Sequence, residues 1–281
     1  MKKIIIYCSI VTTLLVAAMS TSASEFGTAP SCTGFGPQAP RDIDSAYGTN
    51  QRIATKSPAA SKMNLCNIHF HKNAEHRAAA FSVYAGDGDG HGNESGYQCN
   101  ISNKLSPVEL APTREAICPS EHGELKPGDT IEVHWVHTTC DVTPGEGLAS
   151  CSSTKCTNPE LRVESQVFTL VNDRLALNFN NMDYDGNMVN GYHQAKSYPA
   201  NTGTPVEFIG STTGASYNDQ TCSPLHVTWS VRPQCAKLDI NTVGEWCKNN
   251  EFKETHAHGV RKLVTDPALL SKIRNGYDDR D

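Results

Sequence analysis

Two histidines one residue apart, His69-Phe70-His71, sit in a run of β-branched and aromatic residues. On a strand, side chains two apart share a face. Both imidazoles can then converge on one ion, while Ile68 and Phe70 face the other side. Asn67 falls on the histidine face, and its amide oxygen can accept the spare N–H of His69 and fix the ring tautomer. A second strand, Ile131-Glu-Val-His-Trp-Val-His137, offers His134 as a third nitrogen. Glu132 lies two residues earlier on the same face, placed to receive the second N–H of His134. Val136 continues that face as an apolar wall, and His137 alternates to the opposite face as a core or rim histidine. Three neutral histidines with no fourth protein ligand make an open, catalytic type of zinc site, where bound water ionises near pH 7. An ordinary histidine pair is the plain alternative; the Glu-x-His strand and Asn67 weigh toward metal.

These residues need a sheet to hold them. Alternating runs give strands at Asn67–His71, Ala79–Ala85, Thr130–His137, Glu164–Val171, Val206–Ile209 and His226–Val231. Turn clusters such as Gly86-Asp-Gly-Asp-Gly90 and Lys126-Pro-Gly-Asp129 separate them. The spacing predicts one helix, Asp266–Arg274, with Asp266 as cap and Pro267 in the first turn. The expected fold is mainly β. It is a single domain on a central, largely antiparallel sheet, with long disulfide-held loops and a short C-terminal helix.

Met1-Lys2-Lys3, the apolar run Ile4–Met19 and the small residues Thr21–Ser24 form a secretory signal peptide, with cleavage after Ala23. Residues 1–23 are thus the signal, 24–60 an irregular Ser/Pro/Gly-rich arm, and 61–281 the catalytic domain. Export to a bacterial periplasm, or secretion, follows, with no stable membrane insertion once the signal is cleaved. Of eleven cysteines, Cys8 leaves with the signal. The remaining ten, an even number in an exported chain, predict disulfides of unreadable pairing. The rival, a thiolate metal site at Cys151–Cys156, has a longer spacing than usual zinc pairs. Losing Lys2 and Lys3 takes the formal charge from −6 to −8. No mature segment is strongly basic, which argues against nucleic acid and anionic membranes as partners.

Three segments resemble carbonic anhydrase. Asn-Ile-His-Phe-His (67–71) is similar to the Gln-Phe-His-Phe-His strand of the α class, and Glu-Val-His-Trp-Val-His (132–137) to its Glu-Leu-His-Leu-Val-His strand. Gly210-Ser-Thr-Thr213 with Cys222-Ser-Pro-Leu-His-Val-Thr-Trp-Ser-Val231 resembles its Gly-Ser-Leu-Thr-Thr and Val-Thr-Trp stretch. A compressed loop after His71 and the insertion 214–221 resemble the δ class of diatoms and their bacterial relatives. The resemblance spans about Asn64 to Arg261 and implies an α-carbonic-anhydrase-like fold. It implies zinc on His69, His71 and His134, and zinc hydroxide converting carbon dioxide to bicarbonate. It also implies a hydroxide-orienting threonine, Thr212 or Thr213, backed by Glu75, and a carbon dioxide pocket lined partly by Val136 and Trp229. The proton-shuttle candidates are His76, His91, His193, His256 and His258.

Other patterns compete. His256-Ala-His258 is a second His-x-His, in a polar setting that suits a rim or shuttle better than a primary site. Asp87-Gly-Asp-Gly-His-Gly92 and Asp183-Tyr-Asp-Gly-Asn187 echo calcium loops without the closing acid. His69-x-His71-x3-Glu75 fits the first cupin metal motif, which would make Glu75 a ligand, but the second motif is absent in its usual form. The rival functions are a non-catalytic envelope zinc-binding protein and a cupin-like iron or manganese enzyme.

Overall fold

Two long strands carry the predicted ligands, and both lie side by side in one sheet. The structure is a computed structural model that describes residues 36–44, 48–52, 54–211, 222–223, 225–260 and 263–270. The signal segment 1–23, Thr212 and Thr213 lie outside the described residues. The described residues fall within one compact unit, Ser31–Asp281.

The strands in chain order are β1 (Asn64–Lys72), β2 (Val83–Asp87), β3 (Ser95–Gln98), β4 (Ile117–Ser120), β5 (Gly123–Leu125) and β6 (Thr130–Thr138). They continue as β7 (Leu161–Val171), β8 (Met188–Val189), β9 (Tyr192–His193), β10 (Val206–Ser211), β11 (His226–Val231) and β12 (Ala236–Asp239), followed by the helix α1 (Ile240–Lys248). The main sheet runs β1-β6-β7-β11-β10, with β12 also paired to β7. β1–β6, β6–β7 and β10–β11 are antiparallel. β11 and β12 both run parallel to β7, one along each half of it. The expected mainly β fold is present, as a mixed sheet.

The sheet separates two cores. Ile68, Phe70, Val133, Trp135, Phe168 and Leu170 form one face. α1 packs there through Ile240, Val243, Trp246 and Cys247, spaced for one side of a helix. Asp239 caps α1 by accepting the N–H of Asn241. The other face buries Val136, Val163, Val167, Phe208, Val227 and Trp229. It carries the histidines.

Among the described residues the α-helix is Ile240–Lys248, and the described part of the expected helix, residues 266–270, forms a turn and a bridge. Asp266 does accept the N–H of Ala268 and closes one turn. Leu270 is then drawn into a bridge with Gln38, and Pro267 and Leu270 offer their carbonyls to Thr49 and Asn50. Pairing with the N-terminal arm replaces helix continuation up to Leu270; residues 271–274 lie outside the described residues. The predicted strand at Ala79–Ala85 also starts late, because Ala79 and Ala80 form a turn whose ends, Ala78 and Phe81, pair with each other. The turn at Lys126–Asp129 forms as expected: Asp129 N–H bonds Lys126 O, and Gly128 supplies the required positive φ.

Among the described residues, disulfides join Cys66–Cys151, Cys99–Cys235, Cys118–Cys247 and Cys140–Cys156, and Cys222 is also disulfide-bonded. Cys151 and Cys156 thus belong to two different bridges, which removes the thiolate metal reading. Asp89 uses its carboxylate on the N–H groups of His91 and Asn93, and Asp185 pairs with Lys196. Both calcium-like sequences are turns.

Phe70 is fully buried against Trp246, ring centroids 6.0 Å apart. Phe70→Ala leaves a cavity on the helix side and is expected to cost about 3–5 kcal/mol. Urea unfolding checks this, as a lowered midpoint with an unchanged slope.

Candidate metal centre

Antiparallel pairing sets His69 directly opposite His134. Alternation on β1 adds His71 two residues on, so three rings meet on one face. Their centroids lie 4.8–5.2 Å apart. One nitrogen from each of His69, His71 and His134 falls within 4.8 Å of the others.

Every ring has a partner for its other nitrogen. His69 Nδ1 donates to Asn67 Oδ1 at 2.7 Å. His71 Nδ1 donates to the carbonyl of Gly259 at 3.0 Å. His134 turns Nε2 to Glu132 Oε1 at 3.1 Å, off the line of a good hydrogen bond. The acceptors at His69 Nδ1 and His71 Nδ1 place those protons outward and leave Nε2 of both rings facing inward; a proton on His134 Nε2, toward the Glu132 carboxylate, leaves Nδ1 of that ring facing inward as well. His134 Nδ1 and His69 Nε2 are 3.3 Å apart. A tetrahedral ion with Zn–N of about 2.0–2.1 Å spaces its ligand nitrogens by about 3.3–3.4 Å. The donor set and the His69–His134 spacing fit zinc.

Burial lowers the pKa of His69 well below its usual value, helped by the positive charge that His134 and His71 would carry; burial also lowers His134. Both rings are thereby kept neutral, the form that ligates. His69 is the ring partly open to solvent, whereas His71 and His134 are buried.

Glu132 is the hub of the site. Its Oε2 accepts the backbone N–H of Glu75 at 2.7 Å and of His76 at 3.3 Å. Its Oε1 accepts Nδ1 of His76 at 2.7 Å and the hydroxyl of Ser165 at 2.6 Å. Burial alone would raise its pKa, but His76 and His134 outweigh that and hold it well below the carboxylate range. Burial likewise opposes charge on His76, and Glu132 overcomes it and raises that pKa. Sequence reasoning missed this use of His76 and Ser165. Alternation puts Ser165 on the metal face, but only the register, His134 opposite Ser165, brings it to Glu132. Gly259 carries no side-chain signal at all, since it acts through its carbonyl.

The remaining candidates separate clearly. Glu75 is buried, with Oε1 3.7 Å from His71 Nδ1. Val136 and Trp229 are buried on the metal face, and the Trp229 ring lies 5.1 Å from that of His134. His76 is fully buried. His193 is tied to the Tyr184 hydroxyl at 2.6 Å, and His91 sits on an exposed turn. His258 lies beside β1: its N–H donates to Phe70 O, and its O accepts from Lys72 N–H. Its ring is 5.7 Å from His69 and 5.8 Å from His71, and its Nε2 meets Glu254 Oε2 at 2.7 Å. The second His-x-His therefore flanks the first. Gly92 makes that possible, because a Cβ there would sit 2.2 Å from the Val260 carbonyl.

Three histidines on one face of a β-sheet are thus placed where they could hold one metal ion. The chain matches the sequence profile of the delta carbonic anhydrase family over residues 60–242. It belongs to that family. No curated protein matches it. Among solved structures, the α-carbonic anhydrase of Thermovibrio ammonificans, in complex with the inhibitor sulfanilamide, is 14% identical with a TM-score of 0.25. That match covers 82% of this chain and 87% of the other. Photobacterium profundum α-carbonic anhydrase is 15% identical with a TM-score of 0.24, covering 83% and 91%. The family match over 60–242 carries the assignment.

His137 lies on the opposite face, with Nδ1 on Trp135 O and Nε2 on the Tyr198 hydroxyl. Burial lowers its pKa to about 3. As pH falls below 6.5 the unfolded chain takes this proton and the folded one does not, so its contribution is complete above 6.5 and shrinks toward pH 3. Urea midpoints of the metal-free protein across that range should show a slope about one proton smaller in His137→Gln. An unchanged slope contradicts the assignment.

Proposed function

We propose that this protein hydrates carbon dioxide reversibly to bicarbonate and a proton, with zinc on His69, His71 and His134. The observation that supports this most is the 3.3 Å approach of two ring nitrogens, His69 Nε2 and His134 Nδ1, inside the three-histidine cluster of a carbonic anhydrase family member; with both rings in the tautomer that ligates, these are the two unprotonated nitrogens. Two such lone pairs repel each other unless a cation lies between them. Zinc, when bound, supplies a water acidified to ionise near pH 7 and hence a nucleophile for carbon dioxide.

The chain's own residues supply the rest. Asn67, the Gly259 carbonyl and Glu132 hold the second nitrogens of the three rings and so fix ligand orientation. Val136, Trp229 and Phe208 form the apolar side of the pocket; carbon dioxide has almost no polar handle and suits such a wall. Thr212 or Thr213, backed by Glu75, orients the nucleophile. His258 moves the proton. It is 45% exposed at the side chain and next to two ligands, with Glu254 at Nε2 to stabilise its charged form. The cleft lined by Lys72, Asn93, Glu94, His122 and Glu124 opens beside it as a route to buffer.

The disulfides and the signal-like sequence Met1–Ala23 together support export to an oxidising compartment, the periplasm first.

Stopped-flow carbon dioxide hydration tests the reading. The wild type with one zinc per chain should be active, and His134→Ala should lose nearly all activity together with its zinc. Full zinc occupancy without hydration sinks the proposal. His258→Ala should lower kcat most in weak buffer, leave kcat/KM largely unchanged and recover with added imidazole. Equal loss at all buffer concentrations rules out the shuttle role.

A further inference from the structure

The loop 139–160 between β6 and β7 supplies no ligand, yet it holds the ligand strand β1, at Asn64 through the Cys140 carbonyl and more extensively at Cys66 and Asn67. β1 is irregular between Leu65 and Asn67, so Cys66 is the residue of a bulge. The bulge turns Leu65 into the helix-side core and leaves Asn67 on the face of His69. Without it, alternation would put Leu65 on the metal face. The loop closes on this spot. Cys66 O accepts the N–H of Gly145 at 3.0 Å and the hydroxyl of Ser150 at 2.8 Å. Cys66 Sγ is bonded to Cys151. Asn67 Nδ2 donates to Gly145 O at 3.2 Å, and this fixes which end of the amide faces His69. A second bridge, Cys140–Cys156, shuts the loop on itself.

We propose that the Cys66–Cys151 bridge is a positioning device for the metal site. Oxidised, it clamps the bulge so that Asn67 holds His69 in the tautomer that ligates. Opened, it frees the amide, and the site holds zinc more weakly. This rests on the zinc reading above. Opening transfers two electrons and two protons from two molecules of an external thiol: the S–S bond becomes two thiols, and the donors become one disulfide. Both cysteines are buried, so the loop must lift for the reaction to occur. Linkage is reciprocal: whatever factor the bridge adds to zinc affinity, zinc adds to the stability of the bridge.

Zinc affinity, read by competition with a chromophoric chelator, tests this without any assay of turnover. Cys66→Ala/Cys151→Ala and Asn67→Ala should each weaken zinc by about tenfold or more, as loss of a ligand's hydrogen-bond partner does. The combined variant should be little worse than either, because both act through one amide. Cys99→Ala/Cys235→Ala should bind like the wild type. Unchanged affinity in the first variant, losses that multiply in the combined one, or an equal loss in the Cys99/Cys235 control each overturn the clamp. Should the bridge-less chain not fold, the wild type answers through thiol titration in glutathione buffers. With zinc the potential of Cys66–Cys151 should fall by about 30 mV per tenfold of coupling, and an unshifted potential overturns the proposal. Failure of the wild type to bind zinc overturns the metal reading itself, and the clamp with it.

Discussion

A fully buried carboxylate, Glu132, is the constraint around which the site is organised. An isolated buried charge costs several kcal/mol, and only close partners on every side make it tolerable. Here the partners come from different parts of the chain: two backbone N–H groups and a ring from residues 75 and 76, a hydroxyl from β7, and a ligand histidine from β6 itself. Satisfying Glu132 therefore fixes the chain just after β1, the register of β6 against β7 and the ring of His134 together. Glu132 raises the pKa of His76 against the effect of burial, and His76 together with His134 lowers that of Glu132. A slip of one residue in either strand would bury the carboxylate without its donors.

The two faces of the sheet share this work unequally. The face toward α1 is an ordinary apolar core, with Phe70, Trp135, Phe168 and Trp246 filling it. The metal face keeps its polar groups in one patch and surrounds them with Val136, Val163, Phe208 and Trp229. Disulfides pin segments that the sheet alone does not hold, such as the loop at Cys151 and the end of α1 at Cys247. The strap that carries Gly259 and His258 is held by backbone bonds to β1 and by its close seat on Gly92. The third ligand partner is thus a carbonyl from a segment nearly 190 residues away in sequence.

What could be read in the sequence was whatever depends on alternation. The shared face of Asn67, His69 and His71, and of Glu132, His134 and Val136, follows from period two. So do the bounds of β11, His226–Val231. What could not be read depends on which strand lies beside which. The pairing of His134 with both His69 and Ser165 is a matter of register, and no local pattern encodes it. The bulge at Cys66 hides inside a continuous strand-like run. α1 escaped notice because Thr242, Val243 and Gly244 are poor helix formers; burial of Ile240 and Trp246 and the bridge at Cys247 override that preference. In the opposite sense, Asp266 and Pro267 announce a helix start, and pairing with the arm consumes the chain there instead.

X-ray absorption at the zinc edge of the purified, zinc-loaded protein addresses the central claim most directly. Three imidazole nitrogens at about 2.0–2.1 Å with one further oxygen is the shell that His69, His71 and His134 predict. A sulfur shell at about 2.3 Å, a fourth imidazole closing the site, or an unaltered shell in His134→Ala would contradict it.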